Sequence, residues 1–132
     1  MARQINVLLV ADDGLTRAVA ANGLEMYGYR VSVARDGEDA LEQLNARQRV
    51  DVLVVDADMG GERDGLAVAK AARQLSPTID VIYVSRIPFR IPEQAKVRGA
   101  PCVRSPYHPH QLASVIAALR HRPGNEEIKA VA

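Results

Sequence analysis

Apolar and polar positions along this chain follow two periods, and the period switches repeatedly. Residues 5–10 form a short, nearly continuous apolar run, the pattern of a strand buried on both faces. Residues 15–27 are long enough for a helix, and Gly28 can end it in a left-handed turn. A second strand is predicted over 30–34. Gly37, Ala40, Leu41 and Leu44 then fall at i, i+3, i+4 and i+7, one face of a helix. Residues 50–55 are rich in β-branched side chains and read as a third strand. Gly65, Val68, Ala69 and Ala72 give another helical face, which Ser76-Pro77 closes. A fourth strand is predicted over 79–84. A short helix follows over 92–98, with Pro92 in its first turn and Gly99 at its end. Residues 101–104 read as a weak fifth strand. Leu112, Val115, Ile116 and Leu119 mark a last helix with Pro109 at its start.

Strand and helix thus alternate five times with short connections. That order implies an α/β domain with a five-stranded parallel sheet and helices on both faces, doubly wound. In such a sheet of order 2-1-3-4-5 the site lies at the carboxyl ends of strands one and three. Strand one ends in Ala11-Asp12-Asp13, and strand three ends in Asp56-Ala57-Asp58. Two acidic termini are therefore expected to converge.

The chain of 132 residues is expected to be one domain over residues 1–121, with a flexible tail over 122–132. A formal net charge of +1 and an aromatic content of 4% argue against a nucleic-acid surface built on charge or stacking. No apolar run approaches the ~20 residues needed to span a bilayer, and Met1-Ala2-Arg3-Gln4 leads straight into a strand without a signal peptide. No helix-turn-helix is expected after the last helix. A single cysteine, Cys102, forms no internal disulfide and suits a reducing cytoplasm.

Converging carboxylates repel and raise each other's pKa, and a divalent cation reverses this by neutralising them. Mg²⁺ fits, because it takes oxygen ligands, one or two carboxylates and a shared phosphate. A carboxylate beside such an ion can accept a phosphoryl group as a nucleophile. The charge that develops then needs the metal, a hydroxyl donor and usually a lysine. Strand four ends in "VIYVSR", which places Ser85 where a hydroxyl is wanted, and strand five ends in "CVRSPY".

These segments together resemble the receiver domain of two-component response regulators, a flavodoxin-like fold. "VLLVADDGLTR" resembles the opening strand and acidic corner. "DVLVVDADMGGERDG" resembles the phosphoacceptor loop, and "RDGEDALEQL" the second helix. "GAPCVRSPY" followed by "LASVIAAL" resembles the end of the domain. The resemblance implies that Asp56 takes a phosphoryl group from a sensor histidine kinase or phosphotransfer protein, with Mg²⁺ held by Asp12, Asp56 and the backbone carbonyl of Asp58. It implies that Ser85 swings toward the acyl phosphate, and that output is contact with a downstream protein. No further enzymatic activity is implied beyond Mg²⁺-dependent phosphorylation and dephosphorylation at Asp56. A homodimer through the face of the fourth and fifth helices is a further expectation of the resemblance.

The sequence also departs from the family. Aligning "VLLV" with the opening strand puts Ala11 at the first acid, Asp12 at the second and Asp13 just beyond. The rival register keeps Asp12-Asp13 as the pair and shortens the loop by one residue. Ser105 stands before Pro106 where the family has lysine, and a serine offers one hydrogen bond but no ammonium. Arg86 or Arg104 are the candidates to restore a cation near the phosphate. Cys102 and Val103 take the places of the switch aromatic, and Gly60 replaces the usual proline after Met59. Two functions of different kinds follow: a working phosphoacceptor, or a phosphorylation-independent pseudo-receiver that binds a protein. A nucleotide-binding protein of related fold is disfavoured, because no Gly-rich turn follows strand one. Asp13, Asp64 and the Asp58 side chain read as solvent-facing acids. Cys102 reads as a small buried hydrophobe, His108 and His110 as capping and surface residues, and residues 46–49 as a solvated helix end.

Overall fold

The computed structural model describes residues 4–46, 48–60 and 64–121. The chain start and the tail expected over 122–132 lie outside them, as does part of the loop after Met59. The elements run β1 (Asn6–Val10), α1 (Gly14–Met26), β2 (Arg30–Ala34), α2 (Gly37–Asn45), β3 (Val52–Asp56), α3 (Gly65–Leu75), β4 (Asp80–Ser85), β5 (Cys102–Arg104) and α4 (Pro109–Arg120). All five strands pair in parallel in the order β2-β1-β3-β4-β5, as expected.

Side-chain alternation along the central strands decides which helices cover which face. Leu8, Val10, Leu53 and Val55 point into the core under α2 and α3, with Ala40, Val68 and Ala72. Val7, Leu9, Val52 and Val54 point the other way, under α1 and α4, with Leu24, Leu112 and Ile116. Both faces are buried, and this is why β1 and β3 read as continuous apolar runs. Gly28 adopts φ +92° just past α1, the left-handed ending foreseen for it.

Four side chains cap the helices. Asp13, Asp36 and Asp64 accept from the backbone amides of Thr16, Asp39 and Ala67. His108 Nδ1 accepts from the His110 amide. Capping of this kind is typically worth about 1 kcal/mol. Asp13 and Asp64 are therefore structural caps rather than idle loop acids. Residues 46–49 also do more than expose a helix end: Arg49 Nε bonds the buried Asp51 carboxylate at 3.1 Å, and Arg47 lies outside the described residues.

The predicted helix over 92–98 is not there. Two 3₁₀ turns, Pro88–Arg90 and Glu93–Ala95, take its place. Proline lacks a donor and disfavours the helical region for the residue before it. Ile87 and Ile91 precede the two prolines and are correspondingly non-helical. Lys96 is already extended, at φ −88° and ψ 151°. The segment is pinned by other means. The Tyr83 hydroxyl accepts from the Val97 amide at 3.0 Å, and Arg73 Nη1 donates to the Arg98 carbonyl at 3.0 Å. The expected dimer face of fourth and fifth helices therefore has no α-helix at its first half, and Phe89 stands 86% exposed there.

One glycine sets the site. Gly65 opens α3 directly against the Asp56 carbonyl, and a Cβ at this position would collide with that backbone oxygen. We expect Gly65→Ala to cost about 1–3 kcal/mol, the usual range for overpacking a tight contact. The check is the urea unfolding midpoint, which should fall without a change in the slope of the transition.

Candidate phosphoacceptor site

The register of the ladder brings four strand ends to one edge. Val10 pairs with Val55, Asp56 with Val84, and Ser85 with Arg104. Loop backbones continue this alignment beyond the strands. The Ala57 amide donates to the Val84 carbonyl at 2.8 Å, and the Ser105 amide to the Ser85 carbonyl at 3.0 Å. A cavity of about 620 Å³ opens over these ends. Asp12, Asp56, Asp58, Arg86 and Ser105 line its polar side, and Leu15, Val19, Tyr107 and Pro109 line its apolar side.

Asp56 is half-buried at the tip of β3, and its Oδ1 accepts from the Asp58 amide at 2.8 Å. Its carboxyl is pushed above the ordinary aspartate range. Burial is the main cause, and repulsion from Asp58 and Asp12 adds to it. The Asp58 amide and the Arg86 charge pull the other way. Asp12, and not Asp13, is thus the corner acid whose field reaches Asp56. Asp13 is spent on α1: it caps Thr16, whose hydroxyl and amide hold its carboxyl below the usual range. Ala11 is buried and its amide extends the β1–β2 ladder to the Ala34 carbonyl. This division of labour favours the register in which Ala11 stands at the first acid position.

Asp58 is an exposed residue, as expected, yet its carboxylate is not idle. Its side chain is 30% exposed and both carboxylate oxygens are engaged. Oδ1 accepts from the Ser85 hydroxyl at 2.7 Å, and Oδ2 accepts from the Arg86 amide at 2.8 Å. Arg86 Nε lies 3.6 Å from Oδ2. Burial alone would raise the Asp58 carboxyl, but the Arg86 amide, the Ser85 hydroxyl and the Arg86 charge outweigh it and hold it low. Ser85 is 1% exposed, and its oxygen also accepts from the Ile87 amide at 3.0 Å. Ser85 therefore sits at the strand end where it was predicted, with its hydroxyl turned to Asp58.

Of the remaining candidates, Ser105 and Arg86 line the cavity, while Arg104 is exposed and does not. Cys102 is half-buried, and burial pushes its thiol up. Two residues at the site went unmarked in the sequence. Arg17 Nη1 donates to the Ala11 carbonyl at 2.7 Å, a contact that no spacing rule announces. Tyr107 is half-buried against the cavity, and its hydroxyl is pushed up by burial and by Asp56.

The family model for the response regulator receiver domain matches residues 7–115. The chain belongs to that family. It is a receiver domain of two-component signalling. It is 33% identical over 134 residues to response regulator MprA of Mycobacterium leprae (strain TN), covering 97% of this chain and 57% of that protein. It is 36% identical over 80 residues to the transcriptional regulatory protein CpxR of Escherichia coli (strain K12), covering 61% of this chain and 33% of that one. The receiver chain thus spans about half the length of the MprA relatives it matches. Among solved structures, the N-terminal domain of a response regulator/sensory box/GGDEF 3-domain protein from Carboxydothermus hydrogenoformans superposes with a TM-score of 0.78. It shares 28% identity, over 91% of this chain and 98% of that one. A CheY-like receiver domain from Methanospirillum hungatei JF-1 matches the fold with a TM-score of 0.80 at 20% identity, over 94% and 99% of the two chains.

Receiver domains use Mg²⁺ for phosphorylation, and the donors here suit it. Asp12 and Asp56 supply two carboxylates close enough to repel. Among the described residues no group of three or more His, Cys, Asp or Glu side chains forms a metal cage. No helix among the described residues is long and apolar enough to cross a membrane.

The raised Asp56 carboxyl has a sign that can be tested. A carboxyl with a higher pKa folded than unfolded adds stability at low pH, and loses it as pH rises through the folded value. At neutral pH the charged form therefore strains the fold. Asp56→Asn should raise the melting temperature by a few degrees at pH 7. The gain over wild type should shrink as pH falls toward the ordinary aspartate value of 3.8. Added Mg²⁺ should stabilise wild type more than the variant. Thermal melts across pH, with and without the metal, check all three.

Proposed function

We propose that this receiver domain accepts a phosphoryl group on Asp56 from a histidine kinase or phosphotransfer protein and signals by contact with a downstream protein. The observation that carries this is Asp56 itself. It stands half-buried at the tip of β3 with Oδ1 tied to the Asp58 amide, and Oδ2 makes no hydrogen bond among the described residues. In the transfer, an Asp56 carboxylate oxygen attacks phosphorus while the phosphorus–nitrogen bond of a phosphohistidine breaks. The bonding pair returns to the imidazole nitrogen, and an acyl phosphate forms on Asp56. Mg²⁺, when held by Asp12, Asp56 and the Asp58 carbonyl, offsets the carboxylate repulsion and the charge on the phosphoryl oxygens. Ser85 supplies the hydroxyl and Ser105 a second, uncharged donor. Arg86 stands closest to the work of the missing lysine, since its charge already acts on Asp56.

A second reading has its own support. Ser105 offers no cation, Ala11 no carboxylate, and the Ser85 hydroxyl is engaged by Asp58. A domain so equipped can serve as a pseudo-receiver that binds its partner without phosphorylation. The lost ammonium bond is worth about 1.5–3 kcal/mol, which corresponds to roughly 10- to 100-fold in rate.

Intact mass after incubation with acetyl phosphate and Mg²⁺ separates the two. The expected result is one added phosphoryl group, absent in Asp56→Asn, and an increase of about 10- to 100-fold in rate with Ser105→Lys. No addition at any time or metal concentration would leave the pseudo-receiver. Partner binding should then be the same for Asp56→Asn as for wild type.

A further inference from the structure

The Asp58 side chain stands beside Asp56, and both of its carboxylate oxygens are engaged. Its Oδ1 takes the only proton that the Ser85 hydroxyl can donate. Its Oδ2 takes the Arg86 amide at 2.8 Å and attracts the Arg86 guanidinium at 3.6 Å. The same Ser85 oxygen receives the Ile87 amide at 3.0 Å. One carboxylate thus gathers the hydroxyl donor, the cation and the first turn of chain beyond β4. These are the groups that an anion on Asp56 would draw toward itself.

We propose that the Asp58 carboxylate is a resident competitor of the phosphoryl group, holding the Ser85 hydroxyl and the Arg86 guanidinium away from Asp56 until a stronger anion takes them. This deepens the phosphoacceptor reading and rests on it. The two grips differ in kind. Arg86 is 79% exposed along its side chain, and its ion pair to Asp58 is long. Exposed pairs of this sort are weak and exchange readily. The Ser85 bond is part-buried, with the Ser85 end 1% exposed, and charge-assisted, so releasing it is the costlier half of the exchange. Release also frees the chain at Ile87, just before the Pro88–Arg90 turn and the exposed Phe89. Asp58 is therefore a positioning residue, acting on the reaction through Ser85 and Arg86. Its backbone carbonyl is left intact by any side-chain substitution.

The test compares wild type, Asp58→Asn and Asp58→Ala. Beryllofluoride with Mg²⁺ serves as an inert phosphoryl probe, and affinity is read from the amide resonances of Arg86 and Ile87. Removing the carboxylate in Asp58→Ala should tighten beryllofluoride binding by about tenfold or more, the scale of one charge-assisted bond. Asn keeps an acceptor for Ser85 but loses the charge that attracts Arg86, so Asp58→Asn should fall between the other two. Without the probe, hydrogen exchange at Arg86 and Ile87 should quicken in Asp58→Ala while the amides of β1 and β3 keep their protection, which also shows that the fold survives. Unchanged or weaker beryllofluoride binding in Asp58→Ala, or no binding, would overturn the competition. Acetyl phosphate labelling is followed in parallel. Labelling lost in every variant overturns the Asp56 reading and this proposal with it, whereas labelling that persists with unaltered beryllofluoride affinity overturns the competition alone.

Discussion

The parallel ladder joining β1, β3 and β4 is the constraint from which the rest of the molecule follows. Its strands are buried on both faces, so their register is strongly specified: a slip of one residue would exchange the two cores. With Val10 beside Val55 and Asp56 beside Val84, the acids that follow β1 and the acid that ends β3 have to meet at one edge. The close approach of Gly65 to the Asp56 carbonyl then fixes where α3 begins. The site is thus a by-product of packing two apolar faces, and its position needs no contribution from the acids themselves.

The acids make that edge electrostatically expensive, and the structure shows how the expense is distributed. Asp13 turns away to cap α1. Asp58 turns away to the Ser85 hydroxyl and the Arg86 amide. Asp56 is left half-buried with its carboxyl raised, and Asp12 stays at the rim as its remaining corner neighbour. In a chain with no lysine before Pro106, backbone amides, one hydroxyl and one guanidinium take over the compensation that an ammonium would otherwise offer. This is also what makes the family membership informative but incomplete. The fold matches the family's pattern, while the groups around Asp56 are arranged in this chain's own way.

The segment between β4 and β5 shows a different balance. Its sequence carries a helix-compatible start at Pro92 and a helix-ending glycine at Gly99, and these two signals by themselves read a short helix between them. The chain instead makes two 3₁₀ turns anchored by the Tyr83 hydroxyl and Arg73. Val97 and Ala100 pack on the core without a helix, and the two side-chain bonds to the backbone hold the segment in that extended course. In such a segment local propensity is a weak guide and tertiary contacts decide.

The sequence by itself determined the strand and helix order, the parallel sheet and the convergence of Asp12, Asp56 and Ser85 at its carboxyl edge. Those features follow from hydrophobic period and chain connectivity, which are local and strongly patterned. Tertiary structure alone decided what Asp58 does. The Asp13 cap is a local bond to Thr16, three residues on, and so belongs to the start of the predicted helix. The grip of Asp58 on Ser85 and Arg86 spans 27 and 28 residues, and it arises only when the end of β4 arrives beside β3, because hydrogen bonds between distant segments leave no period in the chain.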